Sequence, residues 1–232
     1  MAVFYILLAV SLTLSCLFVL IQHPKKPLIS FLLKGLASIS VVLLGVYGAC
    51  HSGIIYETTG IFMIAGLLLC VIGDVSLALL EFNIKDAKYN IINTGSTSFF
   101  LAQICFVIAM CFLIGGNGLA ITIPLLFGAI TVGVIYLMQK PMKLDYNKST
   151  PTILIYSFGL STSLATSVSN IIVNGFSAMN ILLVIGFVFF FASDLILSMI
   201  YFKENSPRAL YYPNLAIYYI AITLIACALV CI

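Results

Sequence analysis

Charge is what this sequence has least of. Ten Lys and Arg and seven Asp and Glu are spread over 232 residues, 7% of the chain, where soluble domains carry about 25%. So few charges cannot cover a water-facing surface. With 63% hydrophobic residues and a mean hydropathy of +1.24, the chain reads as an all-α, polytopic membrane protein. Residues 1–232 form a single integral membrane domain, because spans of about 20 residues consume the length. The sparse basic residues give no patch for nucleic acid. Metal-ligand spacing is also missing: Cys16, Cys50, Cys70, Cys105, Cys111, Cys227 and Cys231 lie in or at the ends of apolar runs, with no CxxC pair. They read as small hydrophobes. His23 and His51 are isolated and fall on opposite faces, which argues against a shared metal or a His-based triad. The N-terminus lacks a basic n-region, so its apolar run is expected to be retained as a span.

Apolar segments that could cross a hydrocarbon core of about 30 Å run over residues 2–22, 28–50, 58–81, 94–114, 118–138, 151–173, 178–202 and 210–231. These give a bundle of about eight transmembrane helices, since lipid offers no partner for unpaired backbone groups and each run is too long for a barrel strand. Alternating the loops assigns Lys25 and Lys26, Lys85 and Lys88, Lys140, Lys143 and Lys148, and Lys203 and Arg208 to one side. The opposite loops have no Lys or Arg. By the positive-inside rule the basic side is cytoplasmic, which places both termini on the non-cytoplasmic face.

Two of these spans resemble each other. Gly66 to Phe82, GLLLCVIGDVSLALLEF, and Gly186 to Phe202, GFVFFFASDLILSMIYF, align Gly66 with Gly186, Asp74 with Asp194, Leu77 with Leu197 and Phe82 with Phe202 at one offset of 120 residues. They are the third and seventh spans and cross in the same direction, so the repeat reads as parallel, four helices plus four. Sites in such proteins tend to lie at the repeat interface.

An ionisable residue inside a span costs roughly 2.5–3.5 kcal/mol on insertion scales and is by default a functional candidate with a partner to be named. Asp74 and Asp194 each lie about 12 Å from the basic end of their spans, at 1.5 Å per residue. Lys34, the one basic residue not in a loop, reaches about the same depth from the second span and is the natural partner. Two carboxylates in one low-dielectric pocket do not both ionise cheaply. One keeps its proton while the other, compensated by a cation, stays ionised, which gives an acid and an anion at neutral pH. Gln103, Tyr156 and Tyr218 lie within other spans and are candidates to hydrogen-bond the pair. A structural ion pair is the alternative use of Lys34, although a bond between helices needs only one acid.

Lys34 in LLKGL, Gly73-Asp74 with Leu77, Gly95 and the aromatic helix leading to Gln103, Tyr156, Ser193-Asp194-Leu195, Arg208-Ala209-Leu210 and Tyr218-Tyr219 together resemble the YhhN family of integral membrane lysoplasmalogenases, over nearly the whole chain. The sequence departs from the family at Gln103, where His is frequent, and at Ile222, where Gln is. The resemblance implies hydrolysis of the vinyl ether bond of a lysoplasmalogen, a lysophospholipid of the membrane. The products would be a fatty aldehyde and glycerophosphoethanolamine or glycerophosphocholine. Asp74 and Asp194 would be catalytic, with Lys34, Gln103, Tyr156 and Tyr218 in support and no cofactor.

Other classes fit less well. GLSTS at Gly159 to Ser163 lacks the second glycine of a GxSxG elbow. An intramembrane aspartyl protease would need glycine at Val71 and a PAL tripeptide, and has neither. The alternative retained is a proton-coupled carrier of a lipid or small solute, with Asp74, Asp194 and Lys34 as a relay. Lys26, Lys203 and Arg208 are candidates to attract a phosphate at the mouth of the site.

Overall fold

The computed structural model describes residues 2–22, 27–82 and 87–231. His23, Lys25, Lys26 and Lys85 lie outside the described residues. Eight α-helices make up the fold: α1 (Ala2–Ile21), α2 (Pro27–His51), α3 (Thr58–Ala78), α4 (Lys88–Leu113), α5 (Gly118–Met142), α6 (Thr150–Asn174), α7 (Ala178–Phe202) and α8 (Tyr211–Ala228). Short 3-10 turns follow α3 and precede α6 and α8. Among the described residues seven helices are long and apolar enough to cross a membrane.

The eighth, α6, has the same length as its neighbours but a polar inner face. Ser161, Thr162, Ser163, Thr166, Ser167 and Asn170 are all buried. Most of this polarity is met by backbone: Ser161 Oγ donates to Ser157 O at 2.7 Å and Thr166 Oγ1 to Thr162 O at 2.7 Å, while Asn170 Nδ2 reaches Met110 O on α4 at 3.3 Å. Small hydroxyl residues let membrane helices approach closely where apolar burial supplies no driving force between them.

Two helices extend beyond their apolar runs. α4 starts at Lys88 rather than near residue 94, because its polar first turn stays helical and Lys88 Nζ donates to Tyr201 O at 3.4 Å. α5 runs on to Met142 and ends at Lys143, whose φ of 56° is left-handed.

Helices α2, α3, α4, α6, α7 and α8 pack successively into a closed ring, with α8 returning to α2. α1 lies outside against α2 and α8, and α5 lies outside against α6. This arrangement matches a parallel four-plus-four repeat, in which α2, α3 and α4 correspond to α6, α7 and α8. Gly66 and Gly186, paired by the 120-residue offset, are both points of close approach: a Cβ would meet the Phe106 ring of α4 at Gly66, and Ile225 Cγ1 of α8 at 2.8 Å at Gly186. The correspondence breaks at the outer helices, since α1 touches α8 whereas α5 has no comparable contact with α4.

The basic loops share one end of the ring. Gln22 Nε2 donates to Glu81 Oε1 at 3.2 Å, Asp145 N donates to Phe202 O at 2.9 Å, and Leu144 pairs with Lys203 across a β-bridge. At the other end Ser52 Oγ donates to Leu229 O and Asn174 Nδ2 to Leu113 O. Beneath the acids, toward that second end, Met63, Leu67, Phe106, Met110, Leu183, Phe187, Ile222 and Ile225 are fully buried and seal the ring.

Candidate functional site

Asp74 and Asp194 face the same space from opposite sides of the ring. A cavity of about 510 Å³ is lined by Lys34 from α2, Asp74, Leu77 and Glu81 from the α3 segment, Asp194, Leu197 and Tyr201 from α7, and Tyr218 from α8. Positions 74, 77 and 81, and their repeat partners 194, 197 and 201, are spaced i, i+3, i+7 and so occupy one helical face. The repeat therefore recurs as two facing walls.

The two carboxylates differ in surroundings. Asp74 is buried, 2% exposed, and held from two neighbouring helices, α2 and α8. Lys34 Nζ lies 3.4 Å from its Oδ1, while Ser38 Oγ and Tyr218 OH each donate to its Oδ2 at 2.7 Å. Ser38 sits one turn after Lys34 on the same face of α2. Tyr219 steadies that face: its hydroxyl donates to Lys34 O at 3.3 Å and stands 3.1 Å from Ser38 Oγ. Asp194 is partly accessible from the cavity. It has no cation within ion-pair distance among the described residues, and Tyr156 OH donates to its Oδ2. Asn214 Nδ2 donates to Ser193 O at 2.6 Å and so fixes the backbone beside it to α8.

Phe99 and Tyr218 floor the cavity, backed by the buried ring of Phe190. Phe99 meets Phe190 and Tyr218 edge-on at 6.2 and 6.1 Å between ring centroids and tilts against Tyr156 at 6.2 Å, within the range of favourable aromatic pairs. Gly73 makes room for this, because a Cβ there would lie 2.7 Å from the Phe99 ring. At the basic end the mouth is lined by Gln22, Glu81, Arg208, Tyr211 and Tyr212.

Lys34, Tyr156 and Tyr218, expected near the acids, all bond them directly. Gln103 is different. It lies one turn further along α4 than Phe99 and does not line the cavity, and its buried amide bonds neither aspartate and finds no partner among the described residues. Across to α6 its backbone oxygen accepts from Ser163 Oγ at 3.3 Å. Ile222 is a core residue, 1% exposed. Arg208 lines the mouth, Lys203 does not, and Lys26 lies outside the described residues. Ser38, Asn214 and Glu81 take part without having been singled out, and Tyr219, quoted only within the Tyr218-Tyr219 pair, takes part as well. Ser38 and Glu81 were detectable as neighbours of Lys34 and Asp74 on their own helical faces. Asn214 carried no such signal.

Among the described residues no group of three His, Cys, Asp or Glu is placed to hold a metal. The arrangement offers a carboxylate matched by an ammonium, a second carboxylate matched only by a hydroxyl, and a water-accessible space between them. No curated protein and no solved structure matches the chain. Residues 29–229 match the model of the YhhN family, and with that match spanning most of its length the chain belongs to the YhhN family.

Proposed function

We propose that this protein hydrolyses the vinyl ether bond of lysoplasmalogens, releasing a fatty aldehyde and glycerophosphoethanolamine or glycerophosphocholine. The observation that carries the reading is the unequal pair: Asp74 and Asp194 face one cavity, but only Asp74 has a cation. Net charge is lowest when Asp74 is ionised against Lys34 and Asp194 keeps a proton beside Tyr156. Two carboxyl groups in such opposite states are the acid and base of an addition through an oxocarbenium ion.

Asp194 donates its proton to the chain-side carbon of the double bond, and the positive charge moves to the carbon bearing oxygen. Asp74 stabilises that cation and takes a proton from the water that adds to it, giving a hemiacetal. In the second half Asp74 returns the proton to the ether oxygen as the carbon–oxygen bond breaks. The hemiacetal hydroxyl gives its proton to Asp194, which restores both groups. The sum is one vinyl ether and one water converted to one aldehyde and one alcohol. Arg208 at the mouth suits the phosphate, and the basic end faces the cytoplasm under the positive-inside rule.

Aldehyde release by the purified protein from a lysoplasmalogen in detergent tests this directly. Hydrolysis that is lost in Asp194→Asn supports it. Substrate uptake into vesicles without product would instead favour a proton-coupled carrier built on the same charges.

A further inference from the structure

A second cavity, of about 300 Å³, lies behind Asp194 between α4, α5, α6 and α7. It shares Leu77, Phe99, Asp194, Leu197 and Tyr201 with the first, so the two spaces meet at the acid. Its character is different. Ile92, Ile135, Met138, Leu160 and Phe191 dominate the lining. The hydroxyls of Thr131 and Ser157 are turned back onto their own helices, to Phe127 O and Ile153 O at 2.8 Å each. An apolar ligand entering this chamber would leave neither of those hydroxyls unpaired.

The repeat shows why the chamber exists. On the opposite side α1 packs against both α2 and α8, and Phe18, fully buried, fills the corner against Tyr219 at 5.8 Å. At the offset of 120 the counterparts of Phe18 and Tyr219 are Met138 and Phe99, and both line the second chamber. Here α5 leans chiefly on α6, through Gly128, where a Cβ would lie 3.1 Å from Phe158 Cδ2. The corner filled on one side is left empty on the other.

Apart from its junction with the first cavity, the chamber is closed at the basic end and open toward lipid. Leu144, Tyr146 and Phe202 form a buried plug at the basic end, tied by the Asp145 to Phe202 backbone bond. Val134, Met138 and Leu195 line it while remaining 49, 45 and 44% exposed on the outer surface of the bundle. Such a space falls at the small end of ligand pockets, about 300–1,000 Å³.

We infer that the chamber between α4, α5, α6 and α7 receives the hydrocarbon chain of a single-chain phospholipid, while its polar head occupies the cavity between Lys34 and Arg208. This rests on the hydrolase reading only for the position of the reacting bond. A chain threaded past Asp194 and a head on the Asp74 side place the chain-side carbon at Asp194 and the oxygen-bearing carbon toward Asp74. Because lipid tails outside are as apolar as the chamber wall, the chamber acts by positioning and by limiting chain shape more than by affinity.

Two measurements test it. First, a lysophosphatidylcholine with a diazirine in mid-chain is photolysed with the full-length protein in detergent micelles, and the labelled peptides are sequenced. Labels within residues 131–138 and 153–160, reduced in Val134→Trp, support the inference. Labels confined to the outer faces of the bundle, or unchanged by Val134→Trp, overturn it whether or not the protein is an enzyme. Second, aldehyde release is compared for hexadecenyl and butenyl lysoplasmalogens. Val134→Trp is expected to lower the rate on the long chain at least about tenfold more than the rate on the butenyl chain, as one misfitted methylene in a pocket can. Equal losses on both chains, or none on either, in a folded variant would overturn the assignment. Wild-type protein inactive on both substrates but labelled in the chamber would defeat the hydrolase reading and keep the chain site.

Discussion

Lys34 and Asp74 form an ion pair across α2 and α3, 3.4 Å from Nζ to Oδ1, with only 9 and 3% of their side chains exposed. Removing one partner from such a pair leaves a buried charge uncompensated, which costs about 3–5 kcal/mol, whereas replacing both can be nearly neutral. Lys34→Met and Asp74→Asn are therefore each expected to unfold at clearly lower temperature in detergent, and the double variant to recover most of the loss. Hydrolysis should be absent from Asp74→Asn and from the double variant. A double variant no more stable than the single ones would show that the pair is not the reason these charges coexist.

Asp194 has no such debt. Its hydroxyl partner Tyr156 can bond an amide oxygen equally well, so Asp194→Asn is expected to melt at or above the wild-type temperature. Its turnover should still fall by about 10²–10⁴-fold, the usual worth of a positioned general acid. The contrast between a fragile Asp74→Asn and a sturdy, inactive Asp194→Asn separates the two roles, and aldehyde release beside thermal unfolding measures both. Residual turnover near wild type in Asp194→Asn would remove this residue from the chemistry.

Tyr156→Phe deletes one hydrogen bond and little volume. A neutral bond of this kind is worth about 1 kcal/mol net, or roughly a fivefold change. The expected result is a several-fold loss in kcat with KM nearly unchanged, because the hydroxyl orients Asp194 and does not touch the head group. A loss carried wholly by KM would assign Tyr156 to substrate binding.

Much of this was legible in the sequence, for identifiable reasons. Lipid forbids unpaired backbone, so apolar run length alone defined eight helices, and the two acids stood out because they are the charges deep inside their spans, Glu81 standing only at the end of the third. Lys34 followed from depth. The fate of Gln103 did not, because a buried amide on α4 has the same sequence signature whether it faces the cavity or lies one turn below the Phe99 floor. The polar face of α6 was equally opaque: its hydroxyls mark close packing against α4 as much as a site. The second chamber depends on how α5 leans on α6, and no periodicity within a single helix encodes that contact.

Gly73 tests the floor without altering a polar group. A methyl there would stand 2.7 Å from the Phe99 ring, and overpacking of this kind typically costs about 1–3 kcal/mol. Gly73→Ala is expected to lower the unfolding temperature and to impair turnover, since Phe99 borders both the cavity and the chamber. Gly73→Ala combined with Phe99→Leu should regain stability, as the smaller side chain relieves the contact. Unchanged stability in Gly73→Ala would mean that α3 and α4 can separate without penalty.

The orientation proposed for the bundle is testable at its two ends. Lys140, Lys143, Lys148, Lys203 and Arg208 are exposed at one end. The other end presents Tyr56 and Phe176, which are 89 and 85% exposed and are related by the same 120-residue offset, as aromatic residues at a membrane interface often are. If the basic end is cytoplasmic, a cysteine at Lys148 should resist a membrane-impermeant maleimide in intact cells and react after permeabilisation, and one at Phe176 should react at once. Both variants require a background with the native cysteines replaced, because Cys16, Cys50 and Cys231 are exposed. Labelling of position 148 from outside intact cells would invert the bundle, and the Asp74–Asp194 cavity would then open to the opposite leaflet.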